Sequence, residues 1–144
     1  MKTFRIGGVH PAENKLSAGK KIEPMALPKQ AVFPLSQHIG APANPVVAVG
    51  DPVLVGQCIG EAAGFVSANI ICSVSGTVKA IEPRQTVSGA KVLSVVIEND
   101  GEYKAVPGFG EKRDYQSLTP QEIRDIIKTA GIVGMGGAGF PTHV

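Results

Sequence analysis

From Val46 to Val106 short apolar runs alternate with turn residues. The runs are Val46–Val49, Val53–Ile59, Ile70–Val74, Thr77–Ile81, Val92–Ile97 and Tyr103–Val106, broken by Gly50-Asp-Pro, Gly60, Ser75-Gly76, Ser88-Gly89 and Asn99-Asp-Gly101. Runs of this length between such residues predict β-strands. Asn, Asp and Gly all tolerate positive φ, so Asn99-Asp-Gly101 predicts a tight turn that pairs Val92–Ile97 with Tyr103–Val106 as a hairpin.

The flanks follow different patterns. Residues 1–44 are crowded with Pro and Gly, as in Gly7-Gly-Val-His-Pro11, Leu27-Pro-Lys-Gln-Ala-Val-Phe-Pro34 and His38-Ile-Gly-Ala-Pro-Ala-Asn-Pro45. Prolines this frequent deny hydrogen bonds to a central strand, so an extended, wrapping arm is expected. On the other side, Thr119-Pro-Gln-Glu122 is a capping box with Pro at the first helical position, flanked by a possible staple of Leu118 and Ile123. Ile123, Ile126, Ile127 and Ala130 share one face and Gly131 is placed for a left-handed cap, which predicts a helix over 117–131. Its apolar stripe needs a partner, either the β-rich region or another copy of the chain.

Composition narrows the picture. The chain has 144 residues, 43% hydrophobic, with Gly 18, Pro 11, 5% aromatics and no Trp. A core of Val, Ile, Leu and Ala suits a small barrel with tight glycine corners. The net charge of +2 carries no block of like charge, and Lys15, Lys20, Lys21 and Lys29 read as a solvated face, which argues against nucleic-acid binding. The first residues lack the apolar run of a signal peptide, and no stretch approaches the roughly 20 apolar residues of a membrane span. A cytosolic or peripheral location is expected.

Candidate chemistry is concentrated at the carboxyl end. Five glycines and an alanine stand among the nine residues Gly131–Gly139, leaving backbone N–H groups open to a phosphate or a flat ring. Gly134-x-Gly136-x-x-Gly139 satisfies a dinucleotide fingerprint, but that fingerprint requires a strand before it and a helix after it. Here a helix precedes the loop and no helix follows, so the chain reads as part of something larger. Other reactive side chains carry less. Cys58 and Cys72 form no C-x-x-C pair and sit among apolar residues, which predicts buried, inert thiols and no metal site. His10 and His38 lie in Pro/Gly-rich segments, where an imidazole more often bonds a backbone carbonyl than a metal. Ser36, Ser67 and Ser75 show no cue for an activated nucleophile.

Several blocks in order, Gly7-Gly-Val-His-Pro11, Leu27–Pro42, Gly64-Phe-Val-Ser-Ala-Asn69, Val74–Ile81 and Gly134-Met-Gly-Gly-Ala-Gly-Phe-Pro-Thr-His-Val144, resemble the N-terminus of the RnfC family of the Rnf electron-transport complex over essentially the whole chain. The resemblance implies a cytoplasmic, peripheral member of a membrane complex that couples electron transfer between ferredoxin and NAD to ion movement. Its partners would be the other Rnf subunits and NAD(H). It further implies that residues 132–144 begin a flavin- and NADH-binding fold. Gly134, Gly136, Gly137, Ala138 and Gly139 would then lie against FMN, with Phe140 shaping the nicotinamide pocket. Two 4Fe-4S clusters on cysteine repeats belong to the family; this sequence contains neither repeat, so no cofactor is expected on this chain alone. Without its neighbours the loop is expected to be a mobile tail, since ordering each residue costs about 1–2 kcal/mol of backbone entropy.

Residues 45–106 separately resemble the biotinyl and lipoyl carrier domains, the barrel-sandwich hybrid. Val49-Gly-Asp-Pro-Val-Leu-Val-Gly-Gln-Cys-Ile-Gly60 and Ser73-Val-Ser-Gly-Thr-Val78 carry that resemblance. The carriers attach their cofactor to a hairpin lysine about eleven residues before the return-strand glycine, which here falls on Phe65, and no lysine stands between Glu61 and Val78. Covalent biotin or lipoate is therefore not expected. Phe65 either meets another domain or subunit or folds back to cap the barrel. The fold class expected is mainly β: a barrel-sandwich hybrid with an irregular N-terminal arm and one C-terminal α-helix. The function that the resemblance implies is that of a structural or docking module in the oxidoreductase. The alternatives are a non-catalytic interaction domain of the same fold and part of a related cobalamin reductase.

Overall fold

Val95, Val96 and Ile97 are wholly buried, and the strand that carries them organises the molecule. In the computed structural model, which describes Gly8 and residues 11–144, the strands are β1 (Gln30–Pro34), β2 (Asn44–Pro45), β3 (Pro52–Val53), β4 (Cys58–Glu61), β5 (Ile70–Ile71), β6 (Gly76–Gln85) and β7 (Lys91–Asn99). A 3-10 turn at Tyr115–Ser117 and helix α1 (Pro120–Thr129) follow. The strands form two sheets, of order β1-β7-β6-β3 and β2-β4-β5. Phe33, Val53, Val78, Val95 and Ile97 of the first meet Ile59 and Ile70 of the second, with Leu35, Ala43, Cys72 and Val74 filling between them. Each large apolar side chain of this set contributes about 1.5–3 kcal/mol on full burial. The mainly β architecture with one helix is as expected.

Three local expectations are corrected. No hairpin joins Val92–Ile97 to Tyr103–Val106, because both edges of β7 are already paired, with β6 on one side and β1 on the other. The hairpin that forms is β6–β7, closed across Thr86–Ala90 by Thr86 N–H to Ala90 O, Gly89 N–H to Thr86 O and a left-handed Gly89. Asn99 and Asp100 instead hold the turn in their own side chains, accepting from Gly101 N–H and Glu102 N–H. The chain is sent across to Val55, which makes a single parallel bridge with Ala105. The run Val53–Ile59 is likewise no single strand: Gln57 Oε1 accepts from Leu54 N–H and Gly56 turns left-handed, splitting it into β3 and β4. Val46–Val49 lies just beyond β2 and is not itself a strand.

The arm contributes more than wrapping. From residue 30 it supplies edge strand β1, which pairs Gln30–Pro34 with Ser94–Glu98, and the core residues Phe33, Leu35 and Ala43. Pro34 closes an edge strand, where a missing donor costs little. Pro83 sits within β6 for the same reason, since β3 pairs only with Gly76 and Thr77 and leaves the edge beyond them open.

Helix α1 is fixed at its ends rather than along its face. Thr119 Oγ1 accepts from Glu122 N–H while the Glu122 carboxylate accepts from Thr119 N–H at 2.7 Å, the reciprocal box expected. At the other end Gly131 N–H reaches Lys128 O and Ile132 N–H reaches Ile127 O, with Gly131 at φ 65°, which is a Schellman closure. Asn69 Nδ2 donates to Thr129 O and ties this end to the barrel. Ile126 and Ile127 are half-buried and Ile123 is exposed, so the barrel covers the stripe only in part. Between the two lies an open cavity of about 680 Å³, with Ile71, Val106 and Phe109 on the barrel side and Leu118 and Ile126 on the helical side.

Candidate functional site

The glycine loop begins where the Schellman closure leaves the helix and at once folds back on itself. Thr142 N–H bonds Ile132 O, Val133 bridges Pro141 in antiparallel register, and Gly134 N–H bonds Phe140 O at 2.8 Å. The tip closes through Gly139 N–H to Gly136 O. Gly136, Gly137 and Gly139 have φ of 80°, 54° and 61°, a run of left-handed residues that side chains other than Asn or Asp would strain. The loop is laddered to itself within 132–142, and Pro141 is fully buried.

The loop is seated on the arm. Ile39 N–H donates to Ala138 O at 3.1 Å, and Gly139 lies so near that an added Cβ would stand 3.3 Å from Gln37 O and 3.6 Å from His38 Cα. On its other side the loop is open. An added Cβ at Gly136 or Gly137 meets nothing within 4 Å. Among the described residues the N–H groups of Gly136, Gly137 and Ala138 have no backbone acceptor. Met135 is fully exposed and Phe140 half-exposed beside them. Of the six residues singled out in the sequence, Gly136, Gly137 and Ala138 form this open tip. Gly134 and Phe140 spend backbone groups on closing the loop, and Gly139 is its seat. Open donors on a bare loop tip fit a flat or anionic ligand. At the foot of the loop both ring nitrogens of His143 are buried without a partner among the described residues.

A second feature stands close by. The connection from β4 to β5 carries Phe65, 79% exposed, at its outer turn. It does not fold back over the barrel. The connection is braced behind its tip: Ser67 Oγ donates to Ala41 O and accepts from Ala63 N–H, and Asn69 Oδ1 accepts from Ala62 N–H. Ala41 N–H in turn reaches Val66 O. The segments 35–50, 62–78 and 129–144, to which the loop, its seat and the Phe65 connection belong, contain no Asp, Glu, Lys or Arg.

The remaining candidates have structural roles. His38 is buried and both ring nitrogens are bonded to backbone, to Ile39 O and Ala68 N–H. His10 lies outside the described residues. Ser75 Oγ donates to Asp100 Oδ1 at 2.7 Å and accepts from Lys104 N–H, so it is fully committed. Burial pushes the thiols of Cys58 and Cys72 above the ordinary cysteine range. The described residues hold no cluster of three or more groups able to bind a metal. Sequence reasoning gave no role to Gln37 and Ile39, which seat the loop, since the contact joins residues about a hundred positions apart.

Residues 2–102 match a family described as the RnfC barrel sandwich hybrid domain. The whole chain is 46% identical over 145 residues to the C subunit of the proton-translocating ferredoxin:NAD(+) oxidoreductase complex of Clostridium ljungdahlii, covering 32% of that protein. It is 44% identical over 149 residues, 99% of its length, to the C subunit of the Na(+)-translocating ferredoxin:NAD(+) oxidoreductase complex of Acetobacterium woodii, again covering 32% of it. Over 148 residues and its full length it is 43% identical to the C subunit of the ion-translocating oxidoreductase complex of Rhodobacter capsulatus, covering 28%. The chain thus spans about a third of the length of the curated relatives it matches.

Proposed function

Since the chain belongs to the RnfC barrel sandwich hybrid domain family, we propose that it is the N-terminal scaffold of the RnfC subunit in an ion-translocating ferredoxin:NAD oxidoreductase. It supplies one edge of a flavin site and a docking face, and no redox centre of its own. The observation that carries this is the open tip of the glycine loop: three N–H groups with no partner among the described residues, on a bare ledge seated against the Gln37–Ile39 segment. FMN, when bound by the complete subunit, would accept or return the hydride of NADH. The chain's own residues would do less. Gly136, Gly137 and Ala138 would offer donors and a flat surface, and Phe140 would exclude water from one side.

The docking part of the proposal rests on Phe65 and on the charge-free segments around it. Segments without ionic groups supply no charge to hold anionic headgroups or nucleic acid, and the exposed aromatic suits an apolar protein face from another domain or subunit. No helix among the described residues is long and apolar enough to cross a membrane. Attachment through partners, on the cytoplasmic face, follows from this reading.

A titration separates the parts. FMN absorbance or fluorescence should show no saturable binding to the 144-residue chain, because only one wall of the site is present. In the complete subunit, Gly137→Asn should weaken FMN binding at least about tenfold, since Asn tolerates positive φ while its side chain occupies the ledge. The same substitution should leave the thermal midpoint of the 144-residue chain within a few degrees. Unchanged FMN affinity in the substituted subunit would remove the loop from the flavin site.

A further inference from the structure

We infer that His38 is the positioning residue of the glycine loop, fixing where the ledge sits relative to the Phe65 connection. The ring is buried and bonded at both nitrogens, at 3.0 Å to Ile39 O and 3.1 Å to Ala68 N. A carbonyl oxygen can only accept and a backbone N–H can only donate, so Nδ1 carries the proton and Nε2 is bare. This requires the neutral ring in one tautomer. Its two bonds clamp the Gln37–Ile39 segment to Ala68, thirty positions away, on the connection that presents Phe65.

The loop has its seat on that same segment. Ile39 turns its carbonyl to the imidazole and its N–H to Ala138 O, so one residue is held by His38 and holds the loop. Gly139 packs against Gln37 O and the His38 Cα. Beyond this seat, the loop's other backbone bonds run within 132–144 and back to the helix end, and they fix its shape rather than its place on the arm. A side chain that sets the backbone of residues 37–39 therefore sets the position of Gly136, Gly137 and Ala138. No ionic side chain stands in 35–50, 62–78 or 129–144 to take over that task.

The inference concerns geometry and holds whatever the ledge binds; only its consequence for flavin rests on the proposed function. Three measurements on the 144-residue chain test it. Long-range ¹⁵N NMR should find the His38 ring neutral with the proton on Nδ1; the other tautomer or a charged ring at neutral pH overturns it. His38→Asn keeps a donor near Nδ1 and loses the acceptor, and His38→Gln places an acceptor near Nε2. With His38→Asn, exchange of the Ala68 and Ile39 amides should quicken about tenfold relative to Val95–Ile97, the scale of one lost hydrogen bond. The amide shifts of Gly136, Gly137 and Gly139 should move with it, and His38→Gln should restore Ala68 protection. A uniform loss across core and loop, or glycine shifts that stay put, shows His38 to be ordinary core. Should either variant fail to fold, the other wild-type tautomer would still overturn the clamp, and Ile39→Pro, which removes the N–H that Ala138 O accepts, should move the same glycine shifts. In the complete subunit, a displaced loop with unchanged FMN affinity would sink the flavin reading and leave the clamp standing.

Discussion

Ser75 is a buried hydroxyl that holds together a turn which the sequence assigned to a different hairpin. It donates to Asp100 and accepts from Lys104 N–H, and so ties the start of β6 to the 99–104 turn. Ser75→Ala strands a backbone donor and should destabilise the protein by about 1–3 kcal/mol, read as a lower denaturation midpoint with an unchanged m-value. The same bond, with a lesser contribution from Glu102 N–H, holds the Asp100 carboxyl below its ordinary value. A depressed carboxylate adds stability that is complete above its unfolded pKa of 3.8 and is lost as pH falls through the lower folded value. The acid limb of the stability profile should therefore be shallower in Ser75→Ala. The thiols act in the opposite sense. Raised by burial, Cys58 and Cys72 stay protonated after the unfolded chain ionises, so stability declines as pH climbs past the ordinary value of 9.0. Alkylation near neutral pH should be slow, with half-buried Cys58 reacting before buried Cys72.

Among the elements, α1 was the easiest to read and buries little of itself. Its start and stop are local: Thr119, Pro120, Glu122 and Gly131 act within a few residues of themselves, so sequence alone located them. Thr119→Ala should cost about 1 kcal/mol and fray the first turn, visible as faster exchange of the Glu122 and Ile123 amides. The bonds from Thr119 hold the Glu122 carboxyl low, and its contribution fades as pH drops from 4.5 through that depressed value. Gly131→Ala should do more damage. It forces a side chain into a left-handed residue and onto Asn69 O, so the helix end should part from the barrel, costing more than the about 1 kcal/mol of strain alone. The β6–β7 hairpin gives the contrary lesson. Asn99-Asp-Gly101 had the stronger turn signal, yet Thr86–Ala90 makes the hairpin, because strand pairing depends on which edges are free.

Across the whole molecule, the glycine loop, the Gln37–Ile39 segment and the Phe65 connection meet, and the proposed flavin edge and docking face both lie there. Phe65→Ser should leave the fold intact, as its side chain is exposed, and should release the subunit from its complex in a pull-down of the assembled oxidoreductase. Retention at wild-type level would locate the docking face elsewhere. The family, the β-rich class and the helix caps were legible along the chain, as was the glycine run that forms the loop, because each depends on local chemistry or on an ordered set of motifs. Other features emerged only once the chain was folded: the arm lends a strand to the sheet, β7 has no edge left for residues 103–106, and His38 and Ile39 seat the loop. These rest on hydrogen bonds between residues far apart along the chain, and on competition for strand edges, neither of which a local pattern encodes.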